Sequence, residues 1–397
     1  MAADGTQELD IARIRAETPG IGGPVHLLAC GSALMPQPVV DAVIGHTRLE
    51  AEHGGYEAAA MQAEALEAVY ASVARLVGAQ PREIALLENA TVAWCHAFYA
   101  LPLRRGVRIL TCEAEYAANY VALLQRAKRE DLRIEVVPSD ASGALDVAAL
   151  EAMIDGDVGL IAITWVPTNG GLVNPAAAVG AVARRHGVPY LLDACQAAGQ
   201  LPIDVGAIGC DFLSATGRKF LRGPRGTGFL YVAGRWLERL EPAMIDHFGA
   251  PWVARDRYAL RPDARRFETW ENAYALRAGL GAAVDYAEAI GIVRIAARIG
   301  QLAERCRALL AAVPGVTVRD LGPAPCGIVS FTVEGAEPAA VVARMAEAGF
   351  VIGASDPAST RLDSERRGLP VMLRIAPHVY NTEDEIAGAV AALARSI

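Results

Sequence analysis

The chain has 397 residues, 53% of them hydrophobic, enough to bury the cores of roughly two to three domains. Its net charge of -8 comes from acidic and basic residues interspersed along the whole length, which argues against a nucleic-acid partner. Seven scattered cysteines without a CxxC pair argue against a zinc cluster and a disulfide framework, and no apolar run approaches the roughly 20 residues of a membrane span.

The N-terminus, Met-Ala-Ala-Asp-Gly-Thr-Gln-Glu, lacks the basic flank and apolar stretch of a signal peptide, so the expected location is cytoplasmic, with reduced thiols. Asp10 to Glu17 has helical spacing behind a capping aspartate and ends at Pro19-Gly20; it reads as an arm that packs on a neighbour. His26 to Pro36 is an apolar run that breaks into small residues, and a helix starts near Gln37. Gly54-Gly-Tyr56 reads as an inter-helix turn or a substrate-lining loop.

From residue 57 the pattern alternates. Helix-period runs over 61–76, 94–101, 120–128, 147–154 and 176–186 separate short β-rich runs at 84–87, 107–111, 134–137, 158–164 and 188–192. Two more strand-like runs, Phe212 to Ala215 and Gly228 to Val232, flank a glycine-rich turn holding Lys219. Strands alternating with helices predict a mostly parallel sheet covered on both faces, with ligands at the carboxyl ends of its strands.

The residues just past each strand end are therefore informative. Past the first comes Glu88-Asn-Ala-Thr-Val-Ala-Trp94, a helix start at Ala90-Thr91 suited to an anion, or simply an N-cap. Past the second, Tyr116 offers an aromatic plate; past the fourth come Thr168 and Asn169. Past the fifth, Asp193 follows four apolar residues, and a buried carboxylate needs a partner. An anion cup, a plate, a buried acid and a lysine at one sheet edge describe a pocket for pyridoxal phosphate. Lys219 would form the Schiff base, Asp193 would keep the ring nitrogen protonated, Gln196 would reach the 3-oxygen, and Thr216 and Arg218 would join the phosphate cup.

The motifs Asn89-Ala-Thr91, Glu115-Tyr-Ala-Ala-Asn119, Pro167-Thr-Asn-Gly-Gly171, Asp193-Ala-Cys-Gln196, Thr216-Gly-Arg-Lys219, Arg266 to Asn272 and Arg374 to Asn381 span most of the chain. On them the sequence resembles the class V aminotransferase-fold, pyridoxal-phosphate-dependent proteins, a group that includes cysteine desulfurases, epimerase-like proteins and sulfoxide lyases. The resemblance implies an α/β fold of type I: a mostly parallel seven-stranded sheet domain with a smaller α+β C-terminal domain. It implies Lys219 as the cofactor lysine, Asp193 as the pyridinium partner and Arg374 as the ligand of a substrate α-carboxylate. Tyr56 and Asn169 are expected to line the substrate site. The segment from Trp270 to Asn272 resembles one lent to the neighbouring subunit's phosphate site, which implies a homodimer.

Three departures bear on the chemistry. Arg218 stands where desulfurases place a histidine, the position that would stack on the cofactor offers Tyr116 or Ala117, and Gly353 to Pro370 holds no cysteine to serve as a sulfur-accepting nucleophile. Leu28-Ala-Cys-Gly31 also lacks the asparagine relatives often place there. Cys326 reads as a core thiol.

The C-terminal third alternates helices (274–289, 293–310, 338–349, 382–395) with strands (316–319, 327–332, 371–375), an α+β pattern. The expected division is an arm over 1–25, a cofactor domain over 26–272 and a small domain over 273–397, with the site between the last two. His378 is either a polar neighbour of that cleft or a turn residue. The expected function is a lyase that removes an α-proton from an amino-acid substrate and eliminates a β-substituent, with sulfur implied by the resemblance. Epimerisation or transamination would use the same residues, and a non-catalytic binding protein on this fold is the remaining alternative.

Overall fold

The structure, a computed structural model, describes residues 9–397, so the N-terminal octapeptide lies outside the described residues. Seven strands form one sheet in the order Ile84–Leu87, Gly228–Val232, Phe212–Thr216, Tyr190–Asp193, Val158–Thr164, Arg108–Cys112 and Arg133–Val137. Four of its six pairings are parallel; Gly228–Val232 runs antiparallel to both neighbours. The near-continuous apolar runs have a plain cause. Alternate residues face opposite ways, and both faces are buried: Ile161 and Ile163 enter one core while Leu160 and Ala162 enter another with Trp94 and Phe98.

A second, four-stranded antiparallel sheet lies in residues 316–375, in the order Val316–Val318, Val329–Val333, Met372–Ile375 and Gly353–Ser355, with its own core of Phe331, Met345 and Leu393. The long helix Tyr274–Ile290 packs on Gln37–His53 and Ala63–Val77. Close approach there depends on glycine, because a Cβ at Gly281 would meet Val69 at 2.8 Å.

Several local expectations are revised. The arm helix Ile11–Ala16 is capped by Asp10, as its sequence predicts. Within the chain it packs firmly: Ile14 is buried, and Arg15 donates to Glu385 at 2.7 Å and to the Tyr380 carbonyl at 2.7 Å. Gly54, at φ +95°, ends one helix and the next, Gly55–Met61, begins at once, so Tyr56 lies on a helix and not in a loop. The segment 353–370 is structured. Gly353–Ser355 pairs with Met372–Ile375, Asp356 caps the single turn Pro357–Thr360, and Arg361–Arg367 is a helix, order that apolar periodicity did not announce.

Candidate functional site

A cavity of about 550 Å³ opens at the carboxyl edge of the large sheet. Ala90, Thr91, Tyr116, Asp193, Thr216, Arg218 and Lys219 all line it, so seven of the predicted site residues meet there. Lys219 is buried, on the turn between the antiparallel strands Phe212–Thr216 and Gly228–Val232. Behind it, Phe220 stacks on His378, whose Nε2 lies 2.9 Å from the Phe220 carbonyl, and His378 stacks in turn on Tyr380. His378 is thus fully buried packing behind the lysine turn; burial first, then Arg222, pulls its imidazole down to about 3.

The opposite wall is a helix start. Asn89 caps the helix Ala90–Ala100 by accepting from the Val92 N–H at 2.9 Å, so the N–H groups of Ala90 and Thr91 are left at the positive end of the helix with no intrahelical partner. Strand and cup are held close by Gly228: a Cβ there would sit 2.6 Å from the Asn89 backbone. The hydroxyl of Thr91 and the guanidinium of Arg218 lie beside this helix start, Arg218 also donating to the Gly31 carbonyl, while the Thr216 hydroxyl donates to the Thr227 carbonyl at 3.0 Å.

Asp193 is buried, and burial raises its carboxyl above the ordinary range, opposed by the Asn119 and Cys195 hydrogen bonds and by Lys219. Its Oδ1 accepts from the Cys195 N–H at 2.8 Å and its Oδ2 from Asn119 Nδ2 at 2.8 Å. A buried acid of this kind gains from a cationic partner, which a protonated ring nitrogen supplies.

Beside this cavity lies a polar knot centred on Thr168. Arg374 Nη1 donates to its carbonyl at 2.7 Å and its hydroxyl at 2.9 Å, and Gln196 Nε2 donates to the same hydroxyl and to the Cys30 carbonyl, both at 3.1 Å. Gln196 Oε1 and Arg374 Nε are buried without partners among the described residues. Asn169 accepts from Ser355 and donates to the Asp356 carbonyl, tying this knot to the segment before Arg374.

Tyr56, Trp270 and Asn272 do not reach the Lys219 cavity within one chain. They line a separate cleft of about 280 Å³ with Glu50 and Tyr274, and Tyr56 and Trp270 are exposed. The Trp270 segment is firmly set: Arg277 donates to Asn272 Oδ1 at 2.5 Å and to buried Glu268 at 2.7 Å, and Glu268 also accepts from Tyr70 and the Leu86 N–H. A third cleft, of about 450 Å³ around His46, holds none of the predicted residues.

Sequence reasoning missed the residues that surround Asp193. Glu115, Asn119 and Thr164 form a buried cluster, and Cys195 and Arg225 line the cavity. One signal was available: Glu115 and Asn119, four apart, straddle the start of a helix just past a strand end. Burial raises the Cys195 thiol against the opposing pull of Lys219, and pushes Cys326 up to about 12, consistent with a core thiol.

An amine, a buried carboxylate and an anion cup around one cavity fit pyridoxal phosphate, whose aldehyde, ring nitrogen and phosphate call for those three groups. Residues 25–388 match the family described as Aminotransferase class-V. A protein of Xylella fastidiosa described as a probable cysteine desulfurase is 33% identical over 83% of this chain and 80% of its own length. Another so described, from Methanothermobacter thermautotrophicus, is 29% identical over 94% of each chain. Among solved structures, the apo cysteine desulfurase of Thermococcus onnurineus matches with a TM-score of 0.91 at 24% identity, covering 99% of both chains. The cystine C-S lyase C-DES, in complex with its reaction product cysteine persulfide, matches at 0.86 and 24%, covering 95% of this chain and 99% of that one. The chain belongs to the class-V aminotransferase family and is a pyridoxal-phosphate-dependent enzyme of fold type I.

Proposed function

We propose that this enzyme is a carbon–sulfur lyase: it takes a cysteine-derived amino acid, removes the α-proton and eliminates the β-sulfur substituent as a thiol, persulfide or sulfenic acid, and water converts the aminoacrylate left behind to pyruvate and ammonia. The observation that carries the reading is the segment facing Arg374. Gly353 to Pro370 is ordered by its strand and helix and holds no thiol, so sulfur leaving a substrate there meets no enzyme nucleophile. Five of the seven cysteines are buried, and Cys195, which lines the cavity, has its thiol raised by burial. The relatives described as cysteine desulfurases support sulfur chemistry, and C-DES is described as acting on cystine.

When bound, the cofactor supplies an electron sink for the charge left on the α-carbon. Lys219 would anchor it, and its Nζ would take the α-proton. Asp193 would keep the ring nitrogen protonated. Ala90, Thr91, Thr216 and Arg218 would hold the phosphate, Tyr116 would contact the ring, and Gln196 with Thr168 would serve the 3-oxygen. Arg374, turning from Thr168, grips the substrate carboxylate with both arms of its guanidinium, beside Asn169. The enzyme acts as a homodimer in which Tyr56, Trp270 and Asn272 complete the neighbouring subunit's site.

Incubation with cystine, cysteine S-conjugates and cysteine sulfoxides tests this. Pyruvate and ammonia should form, while mass spectrometry of the protein shows no persulfide. Exchange of the α-hydrogen with solvent and no pyruvate would instead point to epimerisation or transamination. Lys219→Ala should abolish turnover and the visible absorption band of the bound cofactor.

A further inference from the structure

Asp193 lacks what buried carboxylates usually have. Among the described residues no arginine or histidine bonds it, and its oxygens accept only the Cys195 N–H and the Asn119 amide. The Asn119 Nδ2 group is shared: it donates to Asp193 Oδ2 at 2.8 Å and to Glu115 Oε1 at 2.8 Å. Two carboxylate acceptors on one amide nitrogen use both its N–H bonds. Reversing the amide would turn Asn119 Oδ1 toward two acid groups, so the pair of acids fixes which way Asn119 faces.

Glu115 is held in its turn. Thr164 Oγ1 donates to Oε1 at 2.5 Å, the Tyr116 N–H to Oε1 at 2.9 Å, and Thr111 Oγ1 to Oε2 at 3.0 Å. Glu115, Asn119 and Asp193 are each at most 4% exposed. The titratable groups facing the cluster are Cys112 and Tyr190 on the Glu115 side and Cys195 and Lys219 on the Asp193 side.

We propose that Glu115 and Asn119 are positioning residues for the cofactor: Glu115, locked by Thr164 and Thr111, orients the Asn119 amide so that it always presents an N–H to Asp193 and keeps that carboxylate aimed at the ring nitrogen. The inference rests on the assignment of Asp193 to that nitrogen. Its physical content is that burial disfavours the charged form of Asp193, and a fixed donor opposes that. Outer groups that orient the ligands of a bound group commonly change affinity or activity by about 10- to 100-fold when removed, which is the scale expected here.

The test uses the holoenzyme and its cofactor. Three variants, Asn119→Ala, Thr164→Val and Asp193→Asn, are compared with the parent in thermal midpoint, in cofactor dissociation constant by titration of the apoprotein, and in the pH dependence of the bound cofactor's visible band. Asn119→Ala should weaken cofactor binding about 10-fold and move the spectral transition to lower pH. Thr164→Val keeps the side-chain shape and removes the hydroxyl that donates to Glu115 and also accepts from the Tyr116 N–H at 3.2 Å and from Asn119 Nδ2 at 3.5 Å; it should do the same more weakly with its thermal midpoint retained, and it keeps the test decisive if Asn119→Ala fails to fold. Parental affinity and parental titration in both Asn119→Ala and Thr164→Val, beside an Asp193→Asn that loses both, would overturn the positioning role alone. An Asp193→Asn variant that binds and titrates like the parent would instead overturn the Asp193 assignment.

Discussion

Truncating Arg374 to alanine should lower kcat/KM by about 100-fold, since one charge-assisted pair is worth about 2–5 kcal/mol when a partner is removed. Arg374→Lys keeps the charge but loses the planar fork and should recover part of that loss. Steady-state kinetics on the best substrate would check both. His378 gives a prediction about acid stability. Its imidazole is held down to about 3 in the folded protein, against an ordinary value of 6.5, so the unfolded chain binds the proton first. Stability is therefore complete above pH ~6.5 and falls as pH drops below it, by about 2 kcal/mol near pH ~5. Urea midpoints at the two pH values should show this loss in the parent and less of it in His378→Asn. Lys219 and Asp193 were readable in the sequence because they fall past strand ends at one sheet edge together with a helix start and an aromatic residue, a convergence that neither residue carries alone. Glu115 and Asn119 entered the reading only as ends of a family motif and received no role, because the bond that ties them to Asp193 spans 74 positions of sequence.

At the scale of elements, the turn that carries Lys219 ends on a strained residue. Arg222 has φ +60°, where a side chain costs about 1–2 kcal/mol. It is retained there by contacts: its guanidinium donates to the Leu34 carbonyl at 2.8 Å and to Thr18 Oγ1 at 2.6 Å, and lies 4.8 Å from the Tyr380 ring centre and 5.5 Å from that of Tyr286. Arg222→Ala keeps the strain and loses the contacts, so it should destabilise by about 2–4 kcal/mol. Arg222→Gly should be milder by about 1 kcal/mol, since glycine adopts that backbone freely. Equal denaturation midpoints for the two variants would contradict the strain argument. The large-sheet strands were legible to within about two residues because both faces are buried and the apolar runs continuous. The helix at Tyr56 and the strand Gly353–Ser355 were not, since one depends on the backbone angle of Gly54 and the other on a partner strand.

At the scale of the molecule, the cleft of Tyr56, Trp270 and Asn272 is separate from the Lys219 cavity of its own chain, and the proposed homodimer gives it a use. Co-expressing inactive Lys219→Ala with Trp270→Ala should regain activity, because a mixed dimer assembles one intact site from two damaged chains. No regain in a sample that light scattering shows to be dimeric would sink the shared-site reading. The proposed division at residue 273 awaits limited proteolysis; the helix Tyr274–Ile290 packs on helices of the cofactor domain, so cleavage beyond it, near Gly291, would move the boundary. The antiparallel pair around Lys219 also bears on how the chain acquires its shape. Among the described residues it is the one pairing in the large sheet between strands joined without an intervening helix, whereas the strand of Asp193 and the helix of Ala90 come together through longer chain closures. Short closures cost less entropy and form sooner, so the amine should be placed before the acid and the anion cup during folding. Pulse-labelled hydrogen exchange should find the amides of Phe212–Thr216 and Gly228–Val232 protected ahead of those of Ile84–Leu87; the reverse order would refute it.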